Sequence, residues 1–208
     1  MSLRSPKPAV LCLASASPRR GELLAQIGVA HEVAPADIDE SRRPSESPRD
    51  YVLRLAREKA LWVSSRRREA AVLAADTAVV LGTKVYGKPQ DREDALTMLA
   101  SLAGRAHQVL TAVALATPEG LASALSESTV QLRAMSEQEC SAYWDTGEPR
   151  DKAGGYAIQG RGAVFVESLH GSFSGVVGLP LYETARLLRA AGVPCWIDGA
   201  SHCGARAR

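Results

Sequence analysis

The chain has 208 residues, of which 46% are hydrophobic and 23% are charged, and its formal net charge is +2 at pH 7. This composition is typical of one soluble domain with a sizeable core, and the small net charge argues against a broad nucleic-acid-binding surface. With no long apolar segment, no signal-peptide pattern and no paired cysteines, the sequence predicts a cytoplasmic protein that binds no membrane.

The first predicted elements are a strand and a helix. Residues 1–8 are polar and interrupted by proline, which indicates a loose leader, and the apolar run 9–14 is typical of a buried strand. Ser17 then suits a helix N-cap and Pro18 the first helical position. The helix should therefore run from there to about Gly28, a plausible end signal.

Two arginines, Arg19 and Arg20, occupy the first turn of this predicted helix. Cations are disfavoured at that end of the helix dipole, whereas helix N-termini readily bind phosphate. Two interpretations are open. Either the pair binds a negatively charged ligand, or both side chains are solvated on the surface.

A second predicted helix carries a lysine on its apolar face. After a possible strand at 30–34 and a loop over 37–47, Ser47 begins a helix whose apolar residues recur at the helical period. Lys59 falls on that apolar face, where an unpaired ammonium group is costly to bury. The lysine therefore either reaches an anion or extends its charged end into water.

The most apolar stretch of the chain contains a single carboxylate. The run 71–81 is typical of a buried strand, yet it includes Asp76, which is followed by Thr77. Aspartate is depleted in strands and expensive to bury, so Asp76 is a candidate functional residue, although strand ends and bulges also accept aspartate. A glycine turn and a short strand then lead to Lys88, and a helix is predicted over 91–102.

The second half of the chain begins with a predicted hairpin. The runs 109–117 and 121–132 have strand character and are joined by Pro-Glu-Gly. A short helix with a capping box is predicted at 136–145, then a glycine-rich loop at 151–160 and a last amphipathic helix at 181–191.

Buried runs of parallel type, crossover helices and one hairpin together predict a mixed α/β (α+β) domain over residues 9–192. A mixed central sheet should carry flanking helices, and the hairpin can belong to a lobe that forms a cleft with the rest. Residues 193–208 are predicted to form an irregular tail.

Several polar and charged residues stand where structure alone does not require them. They are Ser15, Arg19, Arg20, Glu40, Lys59, Asp76, Thr77, Lys88, Asp151, Lys152 and Gln159. Cations together with a carboxylate-bound divalent metal are what polyphosphate chemistry requires, because charge on the phosphoryl oxygens must be neutralised. The chain has no Walker A motif and no GxGxxG motif, which excludes the P-loop and Rossmann interpretations.

Eight short segments follow one another along the chain. They are Leu-Ala-Ser-Ala-Ser-Pro-Arg-Arg at 13–20, Asp-Glu at 39–40, Arg-Glu-Lys-Ala at 57–60, Ala-Asp-Thr at 75–77, Gly-Lys-Pro at 87–89, Asp-Lys-Ala-Gly-Gly-Tyr at 151–156, Ile-Gln-Gly at 158–160 and Val-Gly-Leu-Pro-Leu at 177–181. In this order the segments resemble the Maf family of nucleoside triphosphate pyrophosphatases. The resemblance covers about residues 9–192, and eight segments in register make it highly specific.

The resemblance implies hydrolysis of a nucleoside triphosphate to the monophosphate and pyrophosphate, with a divalent metal that is usually Mg²⁺. It also implies an elongated fold with a deep cleft, related to the inosine triphosphate pyrophosphatases, and a homodimer. The family pattern gives Asp76 the role of catalytic carboxylate and associates Arg19, Thr77 and Gln159 with the choice of base. Ala-Asp-Thr with Ile-Gln-Gly is similar to the dTTP/UTP-hydrolysing branch, a house-cleaning activity of the nucleotide pool.

From these residues we expect a triphosphate site with a bound metal. The groups expected to hold phosphate are Ser15, Arg20, Lys59, Lys88 and Lys152, and those expected to hold the metal are Glu40 and Asp76. Asp76 is either the base for the attacking water or a metal ligand, and the sequence leaves both open. The alternatives are a 7-methyl-GTP pyrophosphatase of the same family and a non-catalytic nucleotide-binding module, which would not need Asp76.

Overall fold

The computed structural model describes residues 11–196, in which seven strands form one mixed sheet. The strands are β1 (Leu11–Leu13), β2 (His31–Val33), β3 (Val72–Leu81), β4 (Lys84–Tyr86), β5 (Ala106–Thr117), β6 (Gly120–Leu132) and β7 (Val166–His170). The helices are α1 (Pro18–Gln26), α2 (Pro48–Ser64), α3 (Arg92–Leu102), α4 (Glu137–Asp145), α5 (Phe173–Val177) and α6 (Leu181–Ala190). Short 3₁₀ turns lie at Glu148–Asp151, Ala153–Gly155 and Arg161–Phe165.

The sheet has the order β2-β1-β3-β5-β6-β7, and β4 pairs with β3 beside this path. β1 is parallel to both of its neighbours, and the other pairs are antiparallel. Parallel neighbours need a crossover connection. α1 supplies it between β1 and β2, and the connection from β1 to β3 runs through α1, β2 and α2. The predicted mixed α/β class with flanking helices is thus confirmed.

Alternate residues of β3 feed two cores on opposite faces of the sheet. Leu73 packs in a cluster with Leu24 of α1 and Leu188 of α6, whereas Val72 packs with Val52 of α2. The period of two in a strand explains why an almost unbroken apolar run is needed here, since both faces are covered. A third cluster packs α3 and α4 against the far ends of the long strands.

The helix starts follow the sequence prediction closely, with one exception. The Ser47 hydroxyl accepts a hydrogen bond from the Asp50 N–H at 3.1 Å, and Ser136 forms a reciprocal capping box with Glu139. Ser17 occupies the N-cap position of α1, but its side chain makes no capping bond. The Arg20 N–H, at the third helical position, donates to the Ser17 carbonyl at 3.2 Å, and the Ser17 N–H donates to the Ser15 hydroxyl at 3.2 Å.

The packed chain extends past residue 192, where the sequence predicted that the irregular tail begins. Val193 and Cys195 are buried in the same cluster as Leu24. The Trp196 N–H donates to the Ile27 carbonyl at 3.0 Å. The predicted leader and the tail from residue 197 onward lie outside the described residues.

Two elements, β7 and α5, lie between the predicted glycine-rich loop and the last predicted helix, where the sequence predicts neither a strand nor a helix. β7 is short and mostly exposed, and its residues Val-Glu-Ser-Leu-His show no apolar run. It forms because the edge of β6 opposite β5 is available for pairing at residues 129–132. No helix in residues 11–196 has both the length and the apolar character needed to cross a bilayer.

Candidate functional site

A cleft of about 480 Å³ lies where the start of α1, the loop after β2, α2, β3 and the glycine-rich loop meet. The ten residues to which the sequence prediction gives a role all line it: Ser15, Arg19, Arg20, Glu40, Lys59, Asp76, Thr77, Lys88, Lys152 and Gln159. These residues come from every part of the domain, and the fold brings them to one place. Their individual roles stay predictions.

Lys59 lies at the bottom of the cleft between two carboxylates. Its Nζ is 2.7 Å from Asp76 Oδ1 and 2.9 Å from Glu40 Oε1. Lys59 and Asp76 are each 7% exposed, so the pair lies in a largely dry environment, whereas Glu40 is exposed. The interpretation in which Lys59 extends into water is therefore wrong, and the buried ammonium group pairs with carboxylates.

Burial raises the pKa of Asp76 above its ordinary value, and the nearby charges of Lys59 and Arg20 oppose this shift. A carboxylate with a raised pKa is a stronger base than a free aspartate. The strand position explains the burial, because Ala74 and Ala78, which share a face of β3 with Asp76, are apolar and buried. The site thus contains a buried, cation-paired carboxylate that faces a cleft.

Arg20 ties three separate segments of the chain together. Its Nε donates to the Gly178 carbonyl at 2.8 Å and its guanidinium NH1 to the Ser15 hydroxyl at 2.8 Å. A longer contact of 3.4 Å joins its NH2 to Thr77 Oγ1. Arg20 is therefore not a solvated surface arginine, and its orientation is fixed before any ligand arrives.

The Ser15 hydroxyl can still donate one hydrogen bond. Its oxygen accepts from the Ser17 N–H and from Arg20, which occupies both lone pairs. The hydroxyl hydrogen is then left to donate, and a phosphate oxygen in the cleft is a suitable acceptor.

Arg19 spans the cleft to the glycine-rich loop. Its NH1 is 2.9 Å from Asp151 Oδ2, and Lys152 pairs with the same carboxylate. Partial burial acts to raise the pKa of Asp151, but hydrogen bonds from Lys152 and Arg19 outweigh it and hold the pKa low. Asp151 is thus an ionised group that engages two cations at the edge of the cleft. The surface interpretation fails for Arg19 as well.

Thr111 of β5 is a site residue that sequence reasoning missed. It is fully buried, its hydroxyl donates to the Gly175 carbonyl at 2.7 Å, and its oxygen is 3.0 Å from Thr77 Oγ1. A hydroxyl has one hydrogen, so Thr77 supplies the hydrogen for the second contact. Thr111 therefore fixes the rotamer of Thr77, and the available signal was a lone polar residue within the apolar run of β5.

The glycine-rich loop and the Gly-Lys-Pro segment are joined by backbone. The Gly154 N–H donates to the Gly87 carbonyl at 3.0 Å, and Gly154 has a φ of +71°. A Cβ at this position would also lie 3.1 Å from the side chain of Val79, so only glycine fits. This contact places the exposed Lys88 on the same cleft as the loop that carries Lys152.

The carboxylates fit a metal that also binds the substrate. Glu40 and Asp76 converge on one cationic nitrogen, so both can reach a common cation. Within residues 11–196 no group of three or more metal-ligating side chains occurs. Mg²⁺ is usually held by one or two carboxylates together with substrate phosphates. Of these donors the cleft supplies the two carboxylates.

The chain matches known proteins over nearly all of its described length. The family model described as "Maf-like protein" matches residues 10–191. A dTTP/UTP pyrophosphatase of Hahella chejuensis is 52% identical over 90% of this chain and 95% of its own length. A dTTP/UTP pyrophosphatase of Anaeromyxobacter dehalogenans is 56% identical over 88% of this chain and 95% of its own length.

Among solved structures, the chain is similar to a nucleoside-triphosphatase (dITP/XTP pyrophosphatase) of Mycobacterium abscessus. The two are 15% identical, with coverage of 93% of this chain and 99% of that one and a TM-score of 0.42. At that level the kinship with the inosine triphosphate pyrophosphatases stays a prediction. The family match itself rests on a model that spans almost the whole domain and on relatives more than half identical, and by this measure the chain belongs to the Maf-like protein family.

Proposed function

We propose that the protein hydrolyses nucleoside triphosphates, with dTTP and UTP as its preferred substrates, to the monophosphate and pyrophosphate. The observation that carries the proposal is the buried Asp76 carboxylate, paired with Lys59 and Glu40 in a cleft rich in cations. Relatives that are more than half identical and named dTTP/UTP pyrophosphatases support the substrate class.

The charge balance of the cleft supports a triphosphate ligand. Five cationic side chains and three carboxylates line it: Arg19, Arg20, Lys59, Lys88 and Lys152 against Glu40, Asp76 and Asp151. The cleft is therefore positive overall before any ligand binds. A divalent cation bound with the substrate would add positive charge, and the total would come closer to balancing the negative charge of an ionised triphosphate.

In this proposal Asp76 acts at the attacking water. Its raised pKa suits it to accept the proton as water adds to the α-phosphorus and the bond to the pyrophosphate oxygen breaks. Lys59 balances the negative charge of Asp76 before proton transfer. If Asp76 instead ligates a metal together with Glu40, the Mg²⁺ ion would neutralise phosphoryl charge and lower the pKa of a bound water.

Lys152, at the edge of the cleft, would take up charge of the departing pyrophosphate. Arg19 and Lys152 share Asp151 in the described structure. A triphosphate carries more charge than one carboxylate, so it would compete with Asp151 for Lys152, and Arg19 would remain available to the base. We propose that this exchange accompanies substrate binding.

Base selection is proposed to fall to Gln159 with Arg19 and Thr77. The Gln159 amide offers both a donor and an acceptor, which matches the edge of a pyrimidine. Gln159 is exposed on the cleft wall, where it is accessible to a nucleotide. The 7-methyl-GTP alternative is disfavoured by the names of the similar relatives.

The test is a panel of nucleoside triphosphates that includes dTTP, UTP, 7-methyl-GTP and modified pyrimidine nucleotides, assayed for pyrophosphate release with Mg²⁺ and with EDTA. We expect dTTP and UTP to be cleaved with Mg²⁺ and to survive with EDTA. Asp76→Asn should bind nucleotide but lose turnover. Near-normal turnover by a folded Asp76→Asn variant would contradict the role of Asp76. Binding without turnover by the wild type would favour the non-catalytic module.

We further propose that the enzyme is a cytoplasmic homodimer whose partner is a nucleotide rather than a nucleic acid or a membrane. Large apolar side chains such as Val164, Phe173 and Tyr182 are more than half exposed and available to a subunit interface. Light scattering in solution tests the assembly, since one chain has a mass of 22.1 kDa. A mass equal to one chain would refute the dimer.

A further inference from the structure

The segment that carries Gln159 is fastened at both ends to one carboxylate and one phenol. We call residues 157–162 the Gln159 loop. Glu148, in the 3₁₀ turn that follows α4, accepts from the Gly162 N–H at 3.0 Å and from the Arg161 N–H at 2.9 Å. These two bonds fix the C-terminal end of the loop.

Tyr143 of α4 fixes the other end of the Gln159 loop. Its hydroxyl donates to Glu148 Oε1 at 2.7 Å and accepts from the Ala157 N–H at 3.0 Å. The ring is 4% exposed and packs edge-on against Phe165, with 5.2 Å between the ring centroids. One Tyr143–Glu148 pair therefore holds the backbone on both sides of Gln159.

The loop lies directly on this pair, because two of its residues have no side chain. A Cβ at Gly160 would overlap the Glu148 carboxylate, and a Cβ at Gly162 would lie 2.5 Å from the Tyr143 hydroxyl oxygen. Such distances are too short for any real side chain. The two glycines and the Tyr143–Glu148 pair thus form one fitted unit.

The Glu148 carboxylate is ionised in this setting. Partial burial acts to raise its pKa, but the hydrogen bonds from Tyr143, Gly162 and Arg161 outweigh this effect and lower the pKa. A charged acceptor holds N–H donors more strongly than a neutral one does. Replacement of Glu148 by glutamine would put an NH₂ group in place of one acceptor oxygen, and two donors would then face each other.

A recess of about 290 Å³ adjoins the main cleft and is lined by Arg19, Glu148 and Gln159 among others. Two of these three residues are the ones associated with base choice. The recess therefore offers space for a base beside Gln159, with the fastening carboxylate at its wall.

We propose that Glu148, together with Tyr143, is a positioning residue that sets nucleobase selectivity by holding the Gln159 loop in its base-reading shape. The inference rests on the proposed function, since it takes Gln159 as the reader of the base. Glu148 acts through the loop backbone, so its loss changes the discrimination among bases more than the chemical step.

The experiment compares Glu148→Gln and Tyr143→Phe with the matched control Glu139→Gln. Glu139 is a glutamate of α4 that accepts from the Ser136 N–H at 2.9 Å and pairs with Arg133 at 2.7 Å, but it does not line the cleft. Binding of uncleavable α,β-methylene analogues of dTTP, dCTP and dGTP is measured by calorimetry. Michaelis constants and kcat for dTTP are measured in parallel.

We expect Glu148→Gln to weaken binding of the dTTP analogue about tenfold and to narrow its preference over the dGTP analogue. KM should rise while kcat changes less. Tyr143→Phe keeps the ring packing and should change selectivity in the same direction by a smaller factor. Glu139→Gln should lower the melting temperature and leave the preference unchanged.

The inference is overturned if folded Glu148→Gln keeps the wild-type preference, or if Glu139→Gln changes the preference equally. Should Glu148→Gln fail to fold, an unchanged preference in Tyr143→Phe has the same force. A wild type that binds all three analogues equally also overturns it. Selective binding without pyrophosphate release would instead refute the proposed hydrolysis and leave the selectivity comparison intact, so the two failures are distinguishable.

Discussion

Replacement of Lys59 by methionine tests the electrostatic core of the site. Met has a similar shape but no charge. In Lys59→Met the Asp76 carboxylate, which is only 7% exposed, therefore loses the cation that lies 2.7 Å away in the wild type. Removing one member of a buried ion pair usually costs about 3–5 kcal/mol. The carboxyl can reduce this cost by taking up a proton, which makes the penalty depend on pH.

The upper limit of the penalty follows from the ordinary pKa of aspartate. Protonating a carboxyl with a pKa of about 3.9 costs about 1.5 kcal/mol at pH 5 and about 4 kcal/mol at pH 7. Because Arg20 remains near Asp76, we expect Lys59→Met to lower the free energy of unfolding by about 1 kcal/mol at pH 5 and about 3 kcal/mol at pH 7. For a domain of this size the latter corresponds to a fall of about 6–12 °C in the melting temperature.

The sign of the pH dependence follows from the direction of the pKa shift. Burial raises the pKa of Asp76 in the folded protein, so the folded state binds the proton more tightly than the unfolded state does. The resulting stabilisation is complete below the pKa that Asp76 has in the unfolded protein. It is lost as the pH rises through the pKa that Asp76 has in the folded protein. Removal of Lys59 raises the pKa of Asp76 in the folded protein further, so stability continues to fall up to a higher pH.

The assay is urea denaturation at pH 5, 6, 7 and 8, together with pyrophosphate release. Lys88→Met is the matched control, because Lys88 lines the same cleft but is exposed and should change the free energy of unfolding little. The double variant Lys59→Met/Asp76→Asn should recover stability without recovering turnover. Equal destabilisation at every pH, or no recovery in the double variant, would refute the reasoning.

Two further substitutions test the frame around the site. Thr111→Val keeps the side-chain shape but leaves the Gly175 carbonyl without its donor. We therefore expect urea denaturation to show a free energy of unfolding lower by about 1–3 kcal/mol, with Thr111→Ser near wild type. Equal losses of stability in the two variants would refute the hydrogen-bond argument. Glu46→Gln removes the bidentate contact with Arg54, which lowers the pKa of Glu46 to about 2. Stability from this carboxylate is present above its ordinary pKa and lost as pH falls toward 2, so thermal melts of variant and wild type should differ at pH 7 and converge at low pH.

Much of the architecture follows from local signals in the sequence. The period of apolar residues, the serine caps and the unbroken run of β3 each depend on neighbours along the chain, and they place α2, α4 and β3 correctly. β7 lacked such a signal because its only support is the edge of β6. Ser17 shows the reverse case, a good local signal for a side-chain cap that is not used, because the Arg20 N–H donates to the Ser17 carbonyl rather than to its hydroxyl.

The candidate site was predictable in its members but not in their contacts. A charged residue within an apolar pattern can be recognised from the sequence alone, and Lys59 and Asp76 were identified in this way. The partners of such residues come from distant parts of the chain, and only the fold decides them. Thr111 and Glu148 escaped notice for this reason, since threonine is common in strands and glutamate is common in loops.

The contacts of Arg20 and Arg19 also bear on when the cleft is completed during synthesis. Arg20 depends on the carbonyl of Gly178, which is 158 residues further along the chain, and Arg19 pairs with Asp151, 132 residues away. Of the groups that orient these two arginines, a ribosome that has just made them has made only Ser15. The emerging polypeptide should therefore have no affinity for nucleotide until nearly the whole domain has left the exit tunnel, and fragments that stop before Gly178 should be inert toward it.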